Sequence, residues 1–321
     1  MSNVQRKEIL LESGTNELEI AEFILGHQSF GINVAKIREF VPYDPAQVTK
    51  VPNSPKSMVG VFLLRGRTIP LIDLNTHLGR QKSLDSERPV VLVTEFNTLV
   101  NGFIIDAINQ IHRLSWSDVK SLNPILKKHT TRFTGTVSVK EKEVLIIDLE
   151  YIVTEIFPER MRGLTQLNES SNAEEDIISR RASGQIVIAE DSGMIRNMIT
   201  KTIGAAGYTN LRSFDNGETA YLYIKSTKEK AEQNGKKLMD YLSLAVSDIE
   251  MPRMDGLTVC RNVREELNEK IFPIVIFSSL INEQMAIKCR SVGANAHVTK
   301  PQMGELVDIM DNLIFNKVKN H

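Results

Sequence analysis

Four short stretches in the C-terminal half of the chain carry side chains that could act together: Glu190-Asp191, Asp248, Ser278-Ser279 and Lys300-Pro301. Asp248 and Ser278 are 30 positions apart, and Ser278 and Lys300 are 22 apart. Three carboxylates brought to one place repel one another, and their convergence makes sense around a divalent cation. Oxygen-only ligands favour Mg²⁺ over zinc or copper. An ammonium and a hydroxyl beside them, Lys300 and Ser278, would meet the remaining oxygens of a phosphoryl group, with the Asp248 carboxylate as nucleophile. Singly, each residue has an ordinary reading. A strand-end carboxylate is usually solvated or caps a helix, as Asp191 or Ser192 would here. Lys300 would be a surface lysine, and Ser278 would satisfy a strand-end backbone group. The chemistry depends on a fold that gathers them.

That fold is legible in the hydrophobic pattern. The runs Gln185 to Ala189, Asn210 to Phe214, Leu242 to Ser247, Pro273 to Ser278 and Ala296 to Thr299 are short and apolar enough for strands. Between and after them, apolar residues recur at three- and four-residue spacing, as in Ile195, Met198, Ile199 and Ile203, and in Met303, Leu306, Val307, Met310 and Leu313. Strand then helix, repeated, predicts an α/β doubly wound five-stranded parallel sheet with helices on both faces. Such sheets bind ligands at the carboxyl ends of their strands, which is where the four stretches fall.

From about Gly184 to the C-terminus the chain resembles response-regulator receiver domains, which have this flavodoxin-like fold. The resemblance rests on the four stretches in order and on Asp248-Ile249-Glu250-Met251-Pro252-Arg253-Met254-Asp255-Gly256. It implies that Asp248 is the phosphoacceptor for a histidine kinase, and that Glu190, Asp191, Asp248 and the backbone carbonyl of Glu250 bind Mg²⁺. Ser278 would reorient toward the phosphoryl group and Lys300 would pair with it, so that the domain assists its own Mg²⁺-dependent phosphorylation and dephosphorylation. Many receivers carry an aromatic switch residue three positions before the lysine; this chain has His297 there. The Lys300–Pro301 bond is a candidate cis peptide, a geometry that costs X-Pro little.

The whole chain has 321 residues, which at roughly 100–200 residues per domain makes two domains. Its 41% hydrophobic and 25% charged residues are ordinary globular usage, which excludes a disordered or fibrous protein. Lysine and arginine total 39 against 40 aspartate and glutamate, so no global field draws nucleic acid or an anionic membrane. No apolar run approaches the roughly 20 residues of a membrane span, and the first residues lack the apolar stretch of an export signal, so a cytoplasmic protein without membrane insertion is expected. The two cysteines, Cys260 and Cys289, sit in helical patterns and are expected to be buried, reduced thiols. Polar, aperiodic sequence around Asn168-Glu169-Ser170-Ser171 sets a linker at 159–183. It separates a domain at 18–158, preceded by a lead-in at 1–17, from a domain at 184–321.

The first domain reads as all-β. Strand-like runs such as Leu18 to Leu25, Val59 to Leu64, Thr68 to Ile72, Val100 to Ile105, Thr134 to Val139 and Glu143 to Ile147 alternate with turn residues, which predicts a barrel or sandwich. Gly60 to Asp73 and Gly135 to Asp148 each span 13 positions and end in Ile-Asp-Leu, which predicts two related subdomains, each with an aspartate at a helix N-cap.

The stretches Phe30-Gly31-Ile32, Leu64-Arg65-Gly66, Ile69-Pro70-Leu71 and Ile72-Asp73-Leu74 resemble those of CheW-like coupling domains, with their paired β-barrels. One departure is Leu63, where that family often has a polar residue. A CheW-like domain followed by a receiver is similar to the CheV-type chemotaxis coupling proteins. The resemblance implies an adaptor between chemoreceptor cytoplasmic tips and a chemotaxis histidine kinase, adjusted by phosphorylation as adaptation or as a phosphate sink. It would work in the cytoplasm, held at membrane receptor arrays by protein contacts. Arg65, in a hairpin turn beside Gly66, is the candidate partner-binding residue, since a guanidinium there can reach a partner carboxylate. Two other readings stand: an aspartyl-phosphate phosphatase with Glu250 as acid/base, and a receiver fused to an unrelated ligand-binding β module. The phosphatase is disfavoured because the nucleophile candidate follows the third strand, not the first.

Overall fold

A computed structural model describes residues 16–80, 89–96, 99–123, 131–158, 175–300 and 302–315. It divides into two compact units, one holding Leu18–Ser115 and Lys120–Pro158, the other holding the C-terminal part. Among the described residues no helix is long and apolar enough to cross a membrane. Most of the expected linker, and Pro301, lie outside the described residues.

Among the described residues the N-terminal unit has twelve strands and two α-helices: β1 (Glu17–Leu25), β2 (Gln28–Asn33), β3 (Ile37–Pro42), β4 (Val48–Thr49), β5 (Met58–Leu64), β6 (Arg67–Asp73), α1 (Leu74–His77), β7 (Val90–Phe96), β8 (Leu99–Ile105), β9 (Ala107–Ser115), β10 (Lys120–Ser121), β11 (Phe133–Val139), β12 (Lys142–Ile147) and α2 (Leu149–Ile156). They form two six-stranded sheets, ordered β10-β11-β12-β2-β1-β9 and β3-β7-β8-β6-β5-β4. Phe23, Phe30, Ile72, Leu92, Phe103, Ile147 and Ile152, drawn from both sheets and from α2, bury one another in a shared core.

The expected repeat is real in three dimensions. Hairpin β5–β6 has a register shift between Met58 and Gly60, and hairpin β11–β12 has one between Phe133 and Gly135. Each hairpin then pairs in parallel with a further strand, β6 with β8 and β12 with β2. Each ends in an aspartate whose carboxylate caps a helix: Asp73 accepts from the Thr76 amide at 3.2 Å, and Asp148 from that of Tyr151 at 2.9 Å.

The turns of the two hairpins differ in a testable way. In the first, Arg65 and Gly66 lie at φ +47° and +81°; in the second, Lys140 and Glu141 lie at +46° and +66°. Two positive φ values in a two-residue loop match a type I′ turn, where a glycine suits the second position. Glu141 pays the left-handed penalty that Gly66 avoids. Glu141→Gly is expected to raise stability by about 0.5–1 kcal/mol, the steric relief less the extra freedom of an unfolded glycine. A urea midpoint that stays put or falls would contradict this.

The C-terminal unit runs α3 (Glu175–Ser183), β13 (Ile186–Ala189), α4 (Gly193–Ala205), β14 (Leu211–Phe214), α5 (Gly217–Gln233), β15 (Leu244–Ser247), α6 (Gly256–Glu265), β16 (Ile274–Ser278), α7 (Glu283–Ser291), β17 (Ala296–Thr299) and α8 (Met303–Phe315). The sheet is parallel throughout, in the order β14-β13-β15-β16-β17. Strands β13, β15 and β16 are buried along their whole length. Ile195, Ile199 and Ile203 of α4 and Leu306, Val307 and Met310 of α8 cover one face, while Leu257, Val259, Cys260 and Val263 of α6 cover the other. Cys260 and Cys289 are free and buried, and burial pushes their thiols up to about 11 and about 12.

One structural difference from the sequence expectation concerns the linker. Its last nine residues, Glu175–Ser183, are helical and belong to this unit. Arg181, 5% exposed, pairs with Asp311 of α8 and donates to the Ala206 carbonyl at 2.6 Å, while the Tyr208 hydroxyl donates to the same Asp311 at 2.6 Å. The helix carries only Ile177, Ile178 and Ala182 as apolar residues, too few for an apolar stripe, and what marks it is a buried ion pair with a residue 130 positions away.

Candidate functional site

In this strand order the sequence of connections reverses between β13 and β15, and the carboxyl ends of the strands beside such a point are where open α/β sheets bind ligands. Glu190 and Asp191 follow the last residue of β13, and Asp248 follows that of β15. The Asp248 amide donates to the Ala189 carbonyl at 2.9 Å, and the Glu190 amide to the Phe214 carbonyl at 3.0 Å. The backbone hydrogen bonds of the sheet therefore continue one residue past the strands, and they fix where both side chains emerge.

Carboxylate oxygens of Glu190, Asp191 and Asp248 lie within 4.8 Å of one another. Lys300 bridges two of them, with Nζ 2.6 Å from Glu190 Oε2 and 2.9 Å from Asp248 Oδ2. All three bridged residues are buried: Glu190 at 1% exposure, Asp248 at 4% and Lys300 at 5%. Water screens such a group poorly, so a like-charge cluster needs compensation from within. One ammonium against three carboxylates leaves an excess of two negative charges, which suits a divalent cation, and the all-oxygen donor set suits Mg²⁺.

Ser278, the last residue of β16, is fully buried, and its Oγ accepts from the Leu280 amide at 3.4 Å. Its carbonyl accepts from the Lys300 amide at 3.2 Å, which ties the hydroxyl-bearing strand end to the lysine. Glu250, 7% exposed, sits two residues beyond Asp248 in the loop that leads to α6. His297 is half-buried on β17, opposite Ile276 in register and three residues before Lys300. Thus the structure brings Glu190, Asp191, Asp248 and Lys300 into mutual reach and seats Ser278 on the neighbouring strand end. Arg65 is in the other unit. Its side chain is 74% exposed and reaches back to Glu39 Oε2 at 2.8 Å. Leu63 beside it is 65% exposed.

Sequence reasoning gave no role to three residues that shape the site. Asp255, 2% exposed, caps α6 by accepting from the Leu257 and Thr258 amides at 2.8 and 3.0 Å, and burial pushes its carboxyl above the usual range. An aspartate followed by glycine at the head of a helical pattern is a readable N-cap signal. Gly256 follows it, and a Cβ there would lie 1.9 Å from the Asp248 carbonyl oxygen. Arg196, in the first turn of α4, donates to the Glu190 and Asp191 carbonyls at 2.6 and 3.2 Å, a contact with no local sequence signature.

Comparison with known proteins matches both units. Residues 19–157 fit the CheW-like domain family, and residues 186–311 fit the response regulator receiver domain family. Over 301 residues the chain is 30% identical to chemotaxis protein CheV3 of Helicobacter pylori, covering 89% of this chain and 91% of that protein. It is 29% identical over 137 residues to chemotaxis protein CheW of Klebsiella aerogenes, covering 42% of this chain and 81% of that protein. It is also 29% identical over 247 residues to sensor histidine kinase CheAY of Helicobacter pylori, covering 76% of this chain and 28% of the kinase.

Proposed function

The chain belongs to the CheV family of chemotaxis proteins, and from that premise we propose that it is an adaptor between chemoreceptor tips and a chemotaxis histidine kinase, whose coupling is reset when Asp248 is phosphorylated. The observation that carries the reading is the buried cluster of Glu190, Asp191, Asp248 and Lys300 at the switch point of the sheet. A neutral packing role would not gather three carboxylates in a place where water cannot screen them.

The proposed step is in-line transfer from a phosphohistidine: an Asp248 carboxylate oxygen forms the new P–O bond as the P–N bond to the kinase histidine breaks, and the imidazole leaves with the electron pair. Asp191, Glu190, Asp248 and the Glu250 carbonyl would hold Mg²⁺, which supplies charge neutralisation at the phosphoryl oxygens. Lys300, already 2.9 Å from Asp248, pairs with a phosphoryl oxygen once the carboxylate is esterified. Ser278 donates its hydroxyl to another, giving up its own local bond to the Leu280 amide. His297 stands where the reorientation would be read out on β17.

Partner contact is assigned to the CheW-like unit, with Arg65 as the residue to probe. Its existing ion pair with Glu39 is exposed and so costs little to exchange for a partner carboxylate. The decisive measurement is kinase activity in reconstituted receptor arrays, with this protein unphosphorylated and then phosphorylated. A change in kinase output that depends on Asp248 is expected; equal output in both states would overturn the regulatory half of the proposal. Failure to co-sediment with receptor and kinase would overturn the coupling half.

A further inference from the structure

Resting on the phosphoacceptor reading, we propose that Arg196 is a positioning residue for the divalent cation: its guanidinium pins the backbone of Glu190 and Asp191 so that their carboxylates stay aimed at a common point. Strand β13 ends at Ala189 and helix α4 begins at Gly193, leaving a connection of three residues. In that connection the sheet's hydrogen bonds reach no further than the Glu190 amide and the helix has not begun, so the Glu190 and Asp191 carbonyls, which set the direction of both acidic side chains, call for partners outside the ladder. Arg196 Nη1 supplies them, donating to the Glu190 carbonyl at 2.6 Å and to that of Asp191 at 3.2 Å. The Ser192 amide completes the turn by donating to Glu190 Oε1 at 3.3 Å, and the Ser192 hydroxyl caps α4.

The placement of the arginine is itself unusual. The N-terminus of a helix carries partial positive charge, so a cation folded back over the first turn is opposed by the helix dipole. The guanidinium nevertheless folds back to the strand end, where three carboxylates supply opposite charge. Two effects then compete on a bound cation. Simple charge repulsion predicts that removing Arg196 tightens metal binding, whereas positioning predicts that removal loosens it. The two have opposite signs.

The test uses the full chain, unphosphorylated, with Mg²⁺ binding measured by calorimetry and Mn²⁺ binding by its electron paramagnetic resonance signal. Groups that orient metal ligands are worth about tenfold or more in affinity, so Arg196→Met is expected to weaken both metals about tenfold. Arg196→Lys, which keeps the charge and one bridging donor, should restore part of the loss. A metal affinity in Arg196→Met equal to or tighter than that of the unaltered chain overturns the assignment, even if the variant melts at lower temperature, since a merely structural arginine would move stability and leave the metal alone. If the unaltered chain binds neither metal, or Asp248→Asn leaves its affinity unchanged, the phosphoacceptor reading itself falls. That outcome is separate from the first.

Discussion

Asp248→Asn is expected to abolish phosphoryl uptake from a phosphohistidine kinase while leaving the fold intact and at least as stable. The loss should be complete on any practical scale, because an amide offers no carboxylate oxygen to form the mixed anhydride at that strand end. Lys300 cannot accept in its place, being an ammonium already held by Glu190 at 2.6 Å. Stability should not fall, for a local electrostatic reason. Three carboxylates within 4.8 Å share one ammonium, and removing one charge relieves repulsion in a place only 4% exposed. The backbone tie from the Asp248 amide to the Ala189 carbonyl is untouched by the change. Acid-labile, base-sensitive label from radioactive phosphohistidine donor measures uptake, and a urea melt measures stability. Label retained by the variant at the level of the unaltered chain would mean that the nucleophile is elsewhere. A clear drop in the urea midpoint, with label lost, would mean that Asp248 is first a structural residue.

The parts of this site that were legible in the sequence are those written in short, apolar strands followed by a chemically distinctive residue. Strands β13, β15 and β16 are buried on both faces, so they read as uninterrupted apolar runs and their ends could be placed within a residue or two. Glu190, Asp191, Asp248, Ser278 and Lys300 follow from those ends. The strands that escaped notice in the N-terminal unit are β3, β4, β9 and β10, the edge strands of its two sheets. None contains a fully buried residue, so burial writes no clean alternation into them. Contacts across long sequence separations were likewise invisible. Arg181 reads as a linker residue until Asp311 is seen beside it, and Arg196 reads as a solvated helix residue until its fold back to two carbonyls is seen. The repeat was readable because both copies keep the same turn-to-cap spacing, the same bulge and the same capping aspartate.

Gly256→Ala is expected to be the most damaging single methyl in the C-terminal unit. The residue opens α6 directly after the capping Asp255, and its amide donates to the Ile249 carbonyl at 3.0 Å, so the first turn of the helix lies against the loop that leaves Asp248. A Cβ built there would stand 1.9 Å from the Asp248 carbonyl oxygen, 2.8 Å from its carbon and 2.8 Å from Ser247 Oγ. Two of those three atoms are backbone at the end of a central strand, and they cannot swing aside as a flexible side chain would. Either α6 retreats from the sheet, opening the packing of Leu257 and Val259, or the Asp248 peptide shifts and carries the phosphoacceptor with it. Overpacking of this kind costs roughly 1–3 kcal/mol and more where backbone must move, and the upper end is expected here. Gly204 is the matched control. It lies near the end of α4 with nothing within 4 Å of its would-be Cβ, so Gly204→Ala should be neutral or stabilising by about 1 kcal/mol through helix propensity. Urea midpoints separate the two variants, and Mg²⁺ titration of whatever Gly256→Ala protein remains folded tests whether the acidic cluster has lost its aim. Equal midpoints for the two variants would show that the helix can yield at no cost. The close approach of α6 to Asp248 would then have no part in holding the site.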